Sequence, residues 1–183
     1  MKNICVYCGS ASGTNPEYVE SARRVGTILA RRGQGLIYGG GRVGLMGVIA
    51  DAVLSGGGRV LGVIPEALAT KEVAHHGLSE LLVVDDMHQR KALMARRADA
   101  FLTLPGGIGT FEEFFETLSW AALDLHRKPM GILNVDGYFD HLLGFVGHAV
   151  EMGFIRSQQA AQIVVSDEPG RLLDQLADGS LRP

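Results

Sequence analysis

Short, continuously apolar runs alternate along this chain with longer segments in which apolar residues recur at helical spacing. The runs predict strands at Asn3 to Cys8, Leu36 to Tyr38, Arg59 to Ile64, Leu81 to Val84, Ala100 to Leu104, Met130 to Asn134 and Ile163 to Val165. Between them the helical period predicts a first helix opened by Asn15-Pro16, with Val19, Ala22, Val25, Ile28 and Leu29 on its inner stripe. Arg31, Arg32 and Gly33 supply the last-turn cations and the glycine stop that end it. Further helices are expected from about Leu45 to Leu54, Met87 to Ala98, the residues after Gly106 to about Leu125, Tyr138 to Met152, and Pro169 to Leu176. From Pro65 to Gly77 the pattern is weak, which predicts a long loop carrying Lys71, Glu72, His75 and His76.

Strands without polar alternation are covered on both faces, and regular strand–helix alternation builds a parallel sheet. The expected fold is therefore α/β: a Rossmann-like, doubly wound, mostly parallel sheet with helices on both faces, spanning 1–183 as a single domain. Ligands of such sheets sit beyond the carboxyl ends of the strands. Gly9, Gly39 to Gly41 and Gly106 to Gly109 all fall there.

One of these turns carries the most chemistry. Pro105-Gly106-Gly107-Ile108-Gly109-Thr110-Phe111-Glu112-Glu113 follows a strand and opens a helix, so unpaired amides and the positive helix end face the turn. That suits a phosphate, with Thr110 as an added hydroxyl donor. Phosphate binding has no use for Glu113, which must serve another part of the ligand. Gly39-x-Gly41-x-x-Gly44 spells the dinucleotide fingerprint, with Glu66 about 20 residues on. It follows the second strand and not the first, so NAD is the minority reading and a nucleotide spanning two glycine turns the stronger one. On the Met87 to Ala98 helix, Arg90, Met94 and Arg97 share a face, with Lys91 beside them. Arg90 and Lys91 lie in the first turn, where cations oppose the helix dipole; a functional load or a neighbouring carboxylate would explain them.

After the glycine turn, Phe111, Phe114, Phe115, Leu118, Ala122 and Leu125 form the expected core stripe, with Glu113, Glu116, Thr117 and Trp120 on another face. The helix is apolar nearly all round from Leu118 to Leu125, which predicts either a homodimer contact or burial within the monomer. Composition narrows the partners. A net charge of −3 leaves no basic footprint for nucleic acid, and no run is long enough for a membrane span. The Ile4 to Cys8 run is too short for a signal-peptide core, so a cytoplasmic location is expected. Glycine, 25 of 183 residues, is about twice its usual share of ~7%, and its clustering at strand ends marks turns. Cys5 and Cys8 point to opposite faces of a strand and read as core residues. The histidines have no metal-site spacing, no nucleophile motif is present, and no cofactor is expected.

Taken together, Pro105-Gly-Gly-Ile-Gly-Thr-Phe-Glu-Glu113 matches P-G-G-x-G-T-x-x-E and Met87-His-Gln-Arg90-Lys91 matches M-x-x-R-K. With Cys8-Gly9-Ser10 and Gly39-Gly40-Gly41 the chain resembles the LONELY GUY (LOG) family, cytokinin riboside 5′-monophosphate phosphoribohydrolases long labelled "possible lysine decarboxylase". The resemblance runs from Ile4 to at least Val165. It implies a homodimeric N-glycosidase that takes a nucleoside 5′-monophosphate and releases adenine or an N6-modified adenine, leaving ribose 5-phosphate. Glu113 is the expected carboxylate near C1′, and Arg90 the expected partner of the leaving purine, although it could instead hold phosphate or ribose. Gly106, Gly107, Ile108, Gly109 and Thr110 would cradle the 5′-phosphate; Phe111 and Glu112 follow as substrate-binding positions, Glu112 with a lesser role because it faces about 100° away from Glu113. The resemblance further implies pocket positions for Glu72, Lys91 and Ser119, the last standing where Thr is frequent. A non-catalytic nucleotide sensor or carrier on the same fold is the alternative. Lysine decarboxylation by pyridoxal phosphate is not expected, because no pyridinium partner is evident.

Overall fold

The computed structural model describes residues 1–69 and 74–178. Seven strands, β1 (Asn3–Tyr7), β2 (Gly35–Tyr38), β3 (Val60–Pro65), β4 (Glu80–Val84), β5 (Ala100–Thr103), β6 (Met130–Leu133) and β7 (Ile163–Ser166), form one sheet. Its order is β4-β3-β2-β1-β5-β6-β7 and every pairing is parallel. The order reverses between β1 and β5, so the loops after those two strands diverge and leave a crevice between them.

Helices α1 (Pro16–Arg31), α2 (Gly44–Ser55), the single turn α3 (Glu66–Leu68), α4 (Met87–Arg97), α5 (Ile108–Ala122), α6 (Asp140–Glu151), the single turn α7 (Ser157–Ala160) and α8 (Pro169–Ala177) make the connections. Strand alternation divides the core in two. Ile4, Val6 and Cys8 pack with α1, α2 and α8, whereas Cys5 and Tyr7 pack with α4 and α5. Cys5 and Cys8 are thus free, buried and on opposite sides of the sheet. Helix α1 starts as its sequence dictates: Pro16 stands in the first turn and the Asn15 side chain accepts from the Glu17 amide at 2.9 Å. No helix of the described residues is long and apolar enough to cross a membrane.

Three expectations need correction. The loop expected from Pro65 to Gly77 contains α3, and Ala74 bridges Gly41, which ties this segment to the turn after β2. Helix α5 stops at Ala122, short of Leu125, where Asp124 turns left-handed at φ 58°. Its inner face also differs from the expected stripe. Thr110, Glu113, Phe114, Thr117, Leu118 and Ala121 are buried, while Phe115 and Leu125 are exposed. Apolarity alone misplaces this face because the sheet offers Thr117 a polar partner, the Tyr7 hydroxyl at 2.9 Å.

Candidate active site

Two loops close over the switch point. The Gly9 amide donates to the Pro105 carbonyl at 3.0 Å, which joins the turn after β1 to the turn after β5. Between them lies a cavity of about 280 Å3 lined by Gly9 to Gly13, Tyr18, Leu45, Pro105, Gly106, Gly107 and Tyr138. A larger cavity, about 570 Å3, opens at the opposite edge of the sheet beside Lys2, Arg59 and Arg97. The carboxyl ends of α1, α2 and α4 converge there, so their dipoles disfavour an anion and account for cations such as Arg97.

The amino ends of α2 and α5 both approach the crevice, and they differ in what they offer. The amides of Leu45 and Met46, at the start of α2, are taken up by the Gly9 carbonyl at 3.0 and 3.3 Å. The Gly39 to Gly44 turn therefore does not present them to a pyrophosphate, which removes the physical basis of the dinucleotide reading. Helix α5 begins at Gly107 with no side-chain cap, so its first-turn amides are left for a ligand.

Below that anion-ready turn lies a buried ion pair. Arg90 Nη1 donates to Glu113 Oε1 at 2.7 Å and Arg90 Nε to the Val63 carbonyl at 3.1 Å. The Arg90 Nη2 lies against Gly39, where a Cβ would stand 1.9 Å from it. Gly39 is glycine because the guanidinium occupies the space of its side chain. Burial pushes the Glu113 carboxyl above the ordinary glutamate range, and the charge and hydrogen bond of Arg90 oppose that shift without cancelling it.

Lys91 points to the other side of the same helix turn. Its Nζ donates to Glu116 at 3.0 Å and also to Glu112. Burial pulls its proton affinity down, but the bonds and charges of both glutamates outweigh that and hold the ammonium above its usual pKa. These carboxylates explain how α4 tolerates two cations at its start, together with the Asp86 cap that accepts from Gln89.

The structure thus brings Arg90, Lys91, Glu112, Glu113 and Thr110 to one corner of the α4–α5 face, at the carboxyl edge of the sheet. Thr110 is buried and packs on Gly106. Gly106 is half-buried, Gly107 and Gly109 are exposed, and Phe111 is half-buried. Ile108 and Ser119 are not brought to the corner: both are exposed and lie with Phe115 on the outer stripe of α5, from which Glu112 reaches Lys91. Glu72 lies outside the described residues. Sequence reading missed Tyr7, Thr117 and Tyr138, which belong to no motif; only the polar Thr117 on an inward face could have signalled the first two.

The family model for possible lysine decarboxylase matches residues 46–176. Over 166 residues the chain is 54% identical to cytokinin riboside 5′-monophosphate phosphoribohydrolase LOG7 of Arabidopsis thaliana, covering 91% of this chain and 76% of that one. It is 49% identical to the rice (Oryza sativa subsp. japonica) enzyme of the same activity, LOG, covering 94% and 71%. Among solved structures, the molybdenum cofactor carrier protein of Chlamydomonas reinhardtii superposes with a TM-score of 0.75 at 17% identity, covering 99% of both chains. The molybdenum cofactor binding protein of Rippkaea orientalis gives 0.73 at 19%, covering 97% of both. At such identities these two share the fold alone.

Proposed function

The chain belongs to the possible lysine decarboxylase family, among the cytokinin riboside 5′-monophosphate phosphoribohydrolases, and on that premise we propose that it hydrolyses the N-glycosidic bond of adenosine 5′-monophosphates, N6-modified ones included. The observation that carries the reading is the buried Arg90–Glu113 pair one helical turn from an uncapped, glycine-lined helix start. A carrier needs the anion turn; it has no use for a carboxylate held at raised proton affinity beside it.

In this reading the first turn of α5 and Thr110 hold the 5′-phosphate, which sets C1′ near Glu113. The water oxygen bonds to C1′ as the C1′–N9 bond breaks, and that electron pair leaves with the purine. Glu113 steadies the oxocarbenium-like ribosyl centre and takes the water proton, which passes to the departing base. Arg90 holds the Oε1 edge of the carboxylate and leaves Oε2 for the reaction. Its charge also favours the developing negative purine. Lys91, Glu112 and Glu116 form the polar wall beside the pair, and Glu72 belongs to the substrate pocket by family resemblance. No cofactor takes part.

The functional unit is a homodimer. Ile108 (81% exposed) and Phe115 (39%) on the outer stripe of α5, with Leu123 (66%) just past its end, offer apolar side chains for a second copy to cover. A second copy covering them would also cover Ser119, whose pocket role is then exercised at the subunit contact. Two unpaired cysteines suit a reducing compartment, the cytoplasm.

Incubation with AMP and with isopentenyladenosine monophosphate, followed by chromatography of the bases, tests the activity and ranks the two substrates. Adenine or the N6-substituted base is expected, with a loss of about 10²–10⁴-fold in Glu113→Gln. No release by the wild type, or undiminished release by Glu113→Gln, would overturn the reading in favour of a carrier.

A further inference from the structure

The peptide between Gly106 and Gly107 has the widest intrinsic rotational freedom in the anion turn, because neither flanking residue has a Cβ. Its orientation matters. The carbonyl and amide of one peptide point in opposite directions, so rotation exchanges an acceptor for a donor on the ligand side. A carbonyl oxygen turned onto a phosphate would repel it.

Something outside the motif holds this peptide. The Tyr138 hydroxyl, from the segment between β6 and α6, donates to the Gly106 carbonyl at 2.5 Å. The tyrosine is itself fixed. Its ring packs edge-on against Tyr18, with centroids 5.4 Å apart, and against Phe139 at 4.9 Å. Its amide donates to the Val135 carbonyl at 3.0 Å. Tyr138 and Tyr18 also line the crevice cavity together with Gly106 and Gly107. The opposite side of the Gly106 residue is closed by Thr110, whose Oγ1 would lie 2.1 Å from a Cβ at that position.

We propose that Tyr138 is a positioning residue of the phosphate site: its hydroxyl engages the Gly106 carbonyl, keeps it off the anion and fixes the turn for the ligand's phosphate. The inference rests on the reading that the Gly106 to Thr110 turn holds the 5′-phosphate. Phenylalanine at this position keeps the ring contacts and removes the hydrogen bond alone.

Calorimetric titration of wild type and Tyr138→Phe with ribose 5-phosphate, and separately with adenine, tests it without turnover. The variant is expected to bind ribose 5-phosphate about tenfold more weakly, as loss of one hydrogen bond to a well-placed carbonyl implies, and adenine equally well. In hydrolysis of AMP, KM should rise by a similar factor while kcat stays within about twofold. Equal ribose 5-phosphate affinity in the two proteins, equal weakening for both ligands, or no ribose 5-phosphate binding by the wild type overturns the inference. A wild type that binds ribose 5-phosphate but releases no base refutes the hydrolase reading instead, and the two titrations still decide the role of Tyr138.

Discussion

Arg90 and Glu113 meet at 2.7 Å with side-chain exposures of 11% and 9%, although 23 positions and a whole strand separate them in the chain. A buried ion pair is poor value for stability alone, since desolvating both charges offsets most of their attraction. Arg90 holds and aims the carboxylate and offsets part of the rise in proton affinity that burial imposes, at the cost of some stability, next to the uncapped start of α5.

Because burial raises the Glu113 pKa, the group is protonated over a range in which ordinary glutamates are charged. A base at C1′ works only when ionised. Activity should therefore fall as pH drops through this raised value, and the acid limb of kcat/KM should lie above the usual glutamate range of about 4.3. Removing the opposing charge in Arg90→Gln should move the limb higher still and cut kcat. A pH–rate profile in free enzyme and variant reads both, and an acid limb at an ordinary glutamate pKa would contradict the assignment.

Gly39 tests the pair from below. An added methyl at this position would sit 1.9 Å from Arg90 Nη2, so Gly39→Ala must displace the guanidinium. With its partner moved, Glu113 is left buried and uncompensated, which costs roughly 3–5 kcal/mol when a buried pair is broken. Loss of at least about 100-fold in kcat/KM is expected, together with a lower melting temperature. Wild-type kinetics in this variant would show that Arg90 has no fixed place.

Much of this was legible beforehand. Continuous apolar runs specify a sheet buried on both faces, and glycines at their ends locate the working edge, because short buried strands and tight turns leave local signatures. The pairing of Arg90 with Glu113 is not local. It depends on α4 and α5 packing side by side on one face of the sheet, and spacing along the chain carries no trace of that. The inner face of α5 escapes the apolar pattern for a related reason: Glu113 and Thr117 are buried where Arg90 and β1 supply polar partners, and Thr110 is buried against Gly106. The G-x-G-x-x-G spelling, already the minority reading because it follows the second strand, reflects local packing instead. Its helix amides are taken by Gly9, and Gly39 answers to a guanidinium.

Tyr7 and Thr117 tie the turn of α5 that carries Glu113 to β1. The Thr117 hydroxyl donates to the Glu113 carbonyl at 2.8 Å and accepts from the Tyr7 hydroxyl at 2.9 Å, all within the core. The Thr117 carbonyl is taken as well, by His126 Nε2 at 3.0 Å. Tyr7→Phe should lower stability by about 1 kcal/mol, the net worth of one hydrogen bond. Thr117→Val, which strands the Tyr7 hydroxyl, should cost more, and Thr117→Ser should restore most of the loss. Both disruptive variants should lower kcat more than they raise KM, since they loosen the turn that aims Glu113. Thermal melts with steady-state kinetics separate these effects, and a stability loss with unchanged kcat would reduce the network to packing.

The outer stripe of α5 decides whether the enzyme works alone. Ile108, Glu112, Phe115 and Ser119 follow one another at helical spacing on that stripe, and Leu123 continues it past the helix end. In a monomer, Phe115→Glu would be nearly neutral, because a half-exposed ring is exchanged for a solvated carboxylate. In a homodimer the same change buries a charge in the contact, and two symmetry-related copies oppose each other. Sedimentation equilibrium should show a dimer for the wild type and a monomer for Phe115→Glu, with the far-ultraviolet circular dichroism unchanged. If Ser119 acts at the subunit contact, hydrolysis should fall in parallel with dissociation and recover at high protein concentration. A wild-type monomer with full activity would sink both the dimer and the role given to Ser119.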